Sequence, residues 1–105
     1  MSNYVFIYYG EPKFESRDDG AKYQDRWRSW VSGIGDAWVN PGTPFGTPKT
    51  VSAAGVTDSS ATTASGRVTG FSVVKADNLD AALAMAQACP HLEHGTVDVA
   101  EAYQM

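Results

Sequence analysis

NYVFIYYG, residues 3–10, is apolar or aromatic at every position from Tyr4 to Tyr9. Side chains alternate across a strand, so Val5, Ile7 and Tyr9 point one way and Tyr4, Phe6 and Tyr8 the other. A strand with one wet face shows polar residues at every second position; this one is dry on both. Gly10-Glu11-Pro12 ends it, and a polar stretch follows in which Ser16, Asp18 or Asp19 is placed to cap a helix. Tyr23, Trp27, Trp30, Val31 and Ile34 then recur at helical spacing, with Lys22, Asp25, Arg26 and Arg28 mostly on the opposite side. Gly33 and Gly35 close that helix.

Further along, Asp36–Asn40 reads as a short strand, PGTPFGTPK (41–49) as a turn-rich loop, and Lys49–Ala54 as the next strand. Residues 55–67 are small and polar and are expected to form a mobile hairpin tip. Val68–Ala76 is a further β segment. Asp77 or Asn78 caps a second helix with Leu79, Ala82, Leu83 and Ala86 as its inner stripe, and Pro90 stops it. GTVDVAEAY (95–103) alternates as a half-buried strand does. The order β-α-β-β-α-β predicts one α+β domain over residues 1–105, ferredoxin-like, with an antiparallel sheet and both helices on one face.

Two helices cover only one face of such a sheet, and the face left over would carry apolar residues from the first strand and from Phe71, Val73 or Val74. Burial stabilises by about 25 cal/mol per Å² of apolar area, and a bare face of this kind exceeds what monomers usually show. Two chains are therefore expected to pack sheet against sheet as a homodimer. The competing arrangement folds the long polar loop over that face.

Composition narrows the function. Of 105 residues 43% are hydrophobic and 19% charged, and no apolar run approaches the roughly 18–20 residues that span a bilayer, so no membrane partner is expected. The start lacks the basic region and cleavage site of a leader. One cysteine allows no internal disulfide, which fits a cytoplasmic protein. A net charge of -4 with scattered basic residues argues against nucleic acid.

CPHLEHG (89–95) holds the one cysteine and both histidines. His91 and His94 stand three apart, but Pro90 separates them from Cys89, the obvious third ligand, so no metal site is expected. Either histidine suits acid–base work, although a histidine after a helix is also explained by the helix dipole. Cys89 ends the inner helix stripe and reads as a small buried hydrophobe. GTPFGTPKT (42–50) lacks the spacing of a phosphate-binding loop, and its prolines remove N–H donors that such a loop needs. Three tryptophans, Trp27, Trp30 and Trp38, suit core packing, yet aromatic walls with a few polar groups such as Asn40 and Ser72 also make small-molecule pockets. No cofactor is implied.

YVFIYYGEP, the stretch GDAWVNPGTPFGTPKTV and the ending VTGFSVVKADNLDAALAMAQACPHLEHGTVDVAEAYQM together resemble the YCII-related family over nearly all the chain except 55–67. The CP-x-L-x-x-G-x-V-x-V pattern after the second helix carries most of the likeness. The resemblance implies a ferredoxin-like fold in a dimeric α/β barrel with a cleft between sheet and helices. Some relatives are thought to use a His–Asp dyad there, and one branch removes chloride from a substituted aromatic diol. The dyad's histidine lies in the first helix in that pattern, whereas AKYQDRWRSW has none, its place falling near Gln24 or Asp25. Asp36 is the match for the carboxylate, and GRVTGF stands where many relatives have DGPF. The expectation is a homodimer whose interface cleft takes a small organic molecule, lined by Tyr9, Trp27, Trp30, Trp38, Asn40, Lys49 and Ser72. Its chemistry would be acid–base, lyase- or isomerase-like, with Asp36, His91 or His94 as the titrating group. The alternative is a non-catalytic binding or accessory dimer.

Overall fold

A computed structural model describes residues 1–58 and 66–103. In chain order the elements are β1 (Ser2–Tyr9), α1 (Arg17–Ile34), β2 (Trp38–Pro44), β3 (Lys49–Ser52), β4 (Gly55–Asp58), β5 (Val68–Ala76), α2 (Leu79–Gln87) and β6 (Thr96–Ala102). Single tight turns, Gly35–Ala37 and Pro90–Glu93, follow α1 and α2. Four strands form one antiparallel sheet in the order β2-β5-β1-β6, while β3 and β4 pair only with each other. With both helices packed on its core face, this is the ferredoxin-like βαββαβ arrangement.

The dry opening strand lies inside the sheet, between β5 and β6. Tyr4, Phe6 and Tyr8 are buried under the helices beside Val74 and Ala76. From α1, Trp30 is buried and Trp27, Val31 and Ile34 pack against the same core. Ser16 caps α1 by accepting the Asp19 N–H at 3.2 Å, and Asn78 caps α2 by accepting the Ala81 N–H at 2.9 Å. On α2 the core face is Ala82 and Ala86, whereas Leu79 and Leu83, expected on the inner stripe, are exposed. Alanines suffice because Trp30 reaches across from α1 and donates its Nε1–H to the Met85 carbonyl at 3.0 Å.

The second strand of the sheet is a correction. Reading by composition placed it at Lys49–Ala54 and left 41–49 as a loop; the chain instead continues in strand through Pro41 to Pro44, and Lys49–Ser52 pairs with Gly55–Asp58 in a separate hairpin. Proline is tolerated there because β2 is an edge strand, where missing N–H groups face outward. The strand is also irregular, its register shifting between Trp38 and Asn40 and again before Thr43. Gly42 sits in that shift at φ +82°, where a Cβ would overlap the Phe71 carbonyl oxygen, so only glycine fits. Of the expected mobile tip at 55–67, residues 55–58 form β4, and 59–65 lie outside the described residues.

The sheet's other face carries Val5 opposite Val73 and Ile7 opposite Phe71, all half-buried, with Phe45 stacked on Phe71 at 5.9 Å. No helix among the described residues is long and apolar enough to cross a membrane.

Candidate functional site

A cleft of about 480 Å³ opens between α1 and the β2 end of the sheet. Tyr23, Gln24 and Trp27 of α1 form one wall, and Pro41–Pro44 of β2 form the other. Pro12 and Phe14, from the segment joining β1 to α1, also line it. Tyr8, Ser72 and His91 make the polar part of its floor. Among the described residues no Asp, Glu, Lys or Arg lines it.

The floor is tightly bonded. Tyr8 Oη and Ser72 Oγ are 2.8 Å apart, and Ser72 Oγ donates to the Pro41 carbonyl at 2.8 Å. The buried His91 ring packs edge-on against Tyr8 at 5.4 Å, and its Nε2 donates to the Tyr9 carbonyl at 2.7 Å. Burial pushes the Tyr8 phenol upward, an effect that the Ser72 hydrogen bond only partly offsets. Tyr23 is raised for the same reason, and its buried hydroxyl has no partner among the described residues.

Of the residues expected from sequence, Trp27, Ser72 and His91 meet in this cleft. The others lie elsewhere. Tyr9 follows Tyr8 and so projects from the opposite face, where burial and then Asp98 raise its phenol. Trp30 is core, and Trp38 spends its Nε1–H on the Val31 carbonyl at 2.9 Å. Asn40 is exposed and accepts the Gly42 N–H at 2.8 Å, holding the bulge of β2. Lys49 pairs with Asp58 across the β3–β4 hairpin. Asp36 is exposed in the turn after α1 and does not line the cleft. His94 packs edge-on against Phe14 and Tyr23 at 5.1 and 4.9 Å and lines a separate, charged cleft with Lys13, Lys22, Arg26 and Glu93. There Arg26 bonds Glu93 at 2.6 Å and holds its carboxyl below the ordinary range.

Sequence reasoning left Tyr8, Tyr23 and Pro41–Pro44 out of the site and named Gln24 only as a place where the histidine of the relatives' dyad would fall. Tyr23 and Gln24 were within reach, since they precede Trp27 by one helical turn on the same side.

Cys89 is buried, and burial pushes its thiol up to about 12. The unfolded thiol titrates near about 8.5. Above that pH the unfolded chain loses a proton that the folded chain keeps, so this stability is full below about 8.5 and is lost as pH rises toward 12. Urea midpoints should therefore fall between about pH 8 and 10, and Cys89→Ala should flatten the fall. Equal slopes in the two proteins would contradict the assignment.

No family model matches the chain, and no curated protein matches its sequence. Among solved structures it is similar to the 5-chloro-2-hydroxyhydroquinone dehydrochlorinase of Burkholderia phenoliruptrix AC1100, determined in complex with 2,5-dihydroxybenzoquinone. The TM-score is 0.61 at 10% identity, over 98% of this chain and 95% of that one. Likeness at this identity is one of fold: the chain has the ferredoxin-like α+β fold of that enzyme.

Proposed function

We propose that the protein is a cytoplasmic homodimer of the YCII-related kind whose cleft binds a small, flat organic molecule and supports proton transfer to or from it. The observation that carries the reading is the cleft of about 480 Å³ with aromatic walls and a compact polar floor at Tyr8, Ser72 and His91. His91 is the acid–base group of the reading: with its Nε2 held on the Tyr9 carbonyl, Nδ1 is the nitrogen left to take up or give a proton. Sheet-to-sheet pairing is supported by the half-buried Val5, Ile7, Phe71 and Val73 on the face that the helices leave bare. The fold shared with a dehydrochlorinase that was determined with a hydroxylated quinone makes ring compounds the first ligands to try. A non-catalytic binder is the second reading, favoured by one feature: a backbone carbonyl, not a carboxylate, backs His91.

Titration with catechol, resorcinol and hydroquinone should quench the fluorescence of Trp27 saturably, and Trp27→Phe should lose most of the signal. Wash-in of solvent deuterium at the ring carbons of resorcinol should be faster with wild type than with His91→Gln. Equal wash-in with intact binding would select the non-catalytic reading; absence of binding by every ring compound would overturn both. Sedimentation at micromolar concentration should report twice 11.3 kDa.

A further inference from the structure

We propose that Ser72 sets the hydrogen-bond polarity of the cleft floor, so that the cleft selects molecules presenting O–H or N–H donors over molecules of the same shape presenting acceptors alone. The inference rests on the cleft being the binding site. Its basis is a count of protons. A carbonyl oxygen only accepts, so the single proton of Ser72 is committed to the Pro41 carbonyl. The 2.8 Å contact between Tyr8 Oη and Ser72 Oγ therefore has one direction: Tyr8 donates and Ser72 accepts. Tyr8 is left with lone pairs alone to offer a bound molecule. His91 follows the same logic, since the Tyr9 carbonyl takes its Nε2–H, and in the neutral form of the ring Nδ1 then offers a lone pair alone.

The threonine hydroxyls beside the floor are committed as well. Thr69 Oγ1 donates toward the Gly10 and Tyr8 carbonyls at 3.0 and 3.3 Å, and Thr43 Oγ1 toward the Pro44 carbonyl at 3.4 Å. Pro41 and Pro44 bring no N–H to the strand that bounds the cleft. Donors lie on the helix side instead, in the Tyr23 hydroxyl, the Trp27 indole and the Gln24 amide. A molecule whose oxygen carried no proton would set its lone pairs against those of Tyr8 and His91. Molecules bearing a hydroxyl avoid that conflict, and a site built around one polarity discriminates strongly against the other. Ser72 is thus a positioning residue, acting through the phenol of Tyr8.

Catechol and its dimethyl ether, veratrole, test the inference because they share a ring and differ in donors. Wild type should bind catechol at least about tenfold more tightly, the scale of one or two hydrogen bonds. In Ser72→Ala the Tyr8 proton is released to turn toward the cleft, and the ratio should collapse toward unity through tighter binding of veratrole. A merely structural role for Ser72 would weaken both compounds in proportion. Tyr8→Phe is the second variant: it should weaken catechol while sparing veratrole. Equal affinities in wild type, or an unchanged ratio in both variants, would overturn the polarity assignment. If neither compound nor any other ring compound binds wild type, it is the underlying reading of the cleft that fails, and the inference falls with it.

Discussion

Phe6→Ala is expected to lower the unfolding free energy by about 3–5 kcal/mol, the range measured for buried phenylalanine truncations. The side chain is fully buried, faces Trp30 at a ring separation of 6.3 Å, and lies in register between Ser72 of β5 and Val99 of β6. Three rigid neighbours leave little room for collapse, so the cavity should persist. A domain of this size has only about 5–15 kcal/mol to lose. Urea unfolding at fixed protein concentration, with an unchanged slope, is the measurement. Val51→Ala is the contrast: Val51 is 76% exposed on the β3–β4 hairpin, and its truncation should stay within about 0.5 kcal/mol. A Phe6→Ala loss below about 1 kcal/mol would mean that the helices do not press on β1 as described.

Gly95→Ala is expected to cost about 3 kcal/mol and to abolish binding in the cleft. A Cβ at this position would overlap the Tyr9 carbonyl oxygen and stand 2.9 Å from His91 Nε2. The obstacle is backbone, not the far end of a flexible side chain. The start of β6 would have to lift away from β1 where Tyr9 faces Thr96, breaking the His91–Tyr9 hydrogen bond at the same time. Gly33→Ala supplies the control, because nothing lies within 4 Å of a Cβ there and the residue is in α1. It should raise stability by about 0.5–1 kcal/mol through helix propensity. Calorimetry of the two variants, with catechol titration of each, separates them; equal melting temperatures would sink the close-approach argument.

Cys89 illustrates how a residue with reactive chemistry can be settled by environment. Its place at the end of the second helix's inner stripe suggested a buried hydrophobe, and the structure buries it with the thiol held neutral. His91, two residues on, differs because the turn at Pro90–Glu93 swings its ring under Tyr8 and into the cleft. Nothing in the spacing of CPHLEHG distinguishes His91 from His94; the rotation of one tight turn sends them to different clefts.

The sequence alone determined the two helices, with their caps narrowed to two or three neighbouring residues, and the strands near 4–9, 68–76 and 95–103, because capping and hydrophobic period are set by neighbours within one or two turns; the structure chose Ser16 and Asn78 as the caps. Their order, with one further strand expected between the first helix and residue 68, was enough for the ferredoxin-like class, although that strand lies at Trp38–Pro44 and not at Lys49–Ala54. Tertiary structure decided the rest. Pro41 and Pro44 read as loop until the strand that holds them is known to be an edge, where missing N–H groups go unnoticed. A strand apolar on both parities carries no sign of which side meets the helices, so Tyr8 rather than Tyr9 reaches the cleft only once β1 is seated. The direction of the Tyr8–Ser72 hydrogen bond depends on a carbonyl thirty-one positions away, a distance in sequence that no local pattern spans.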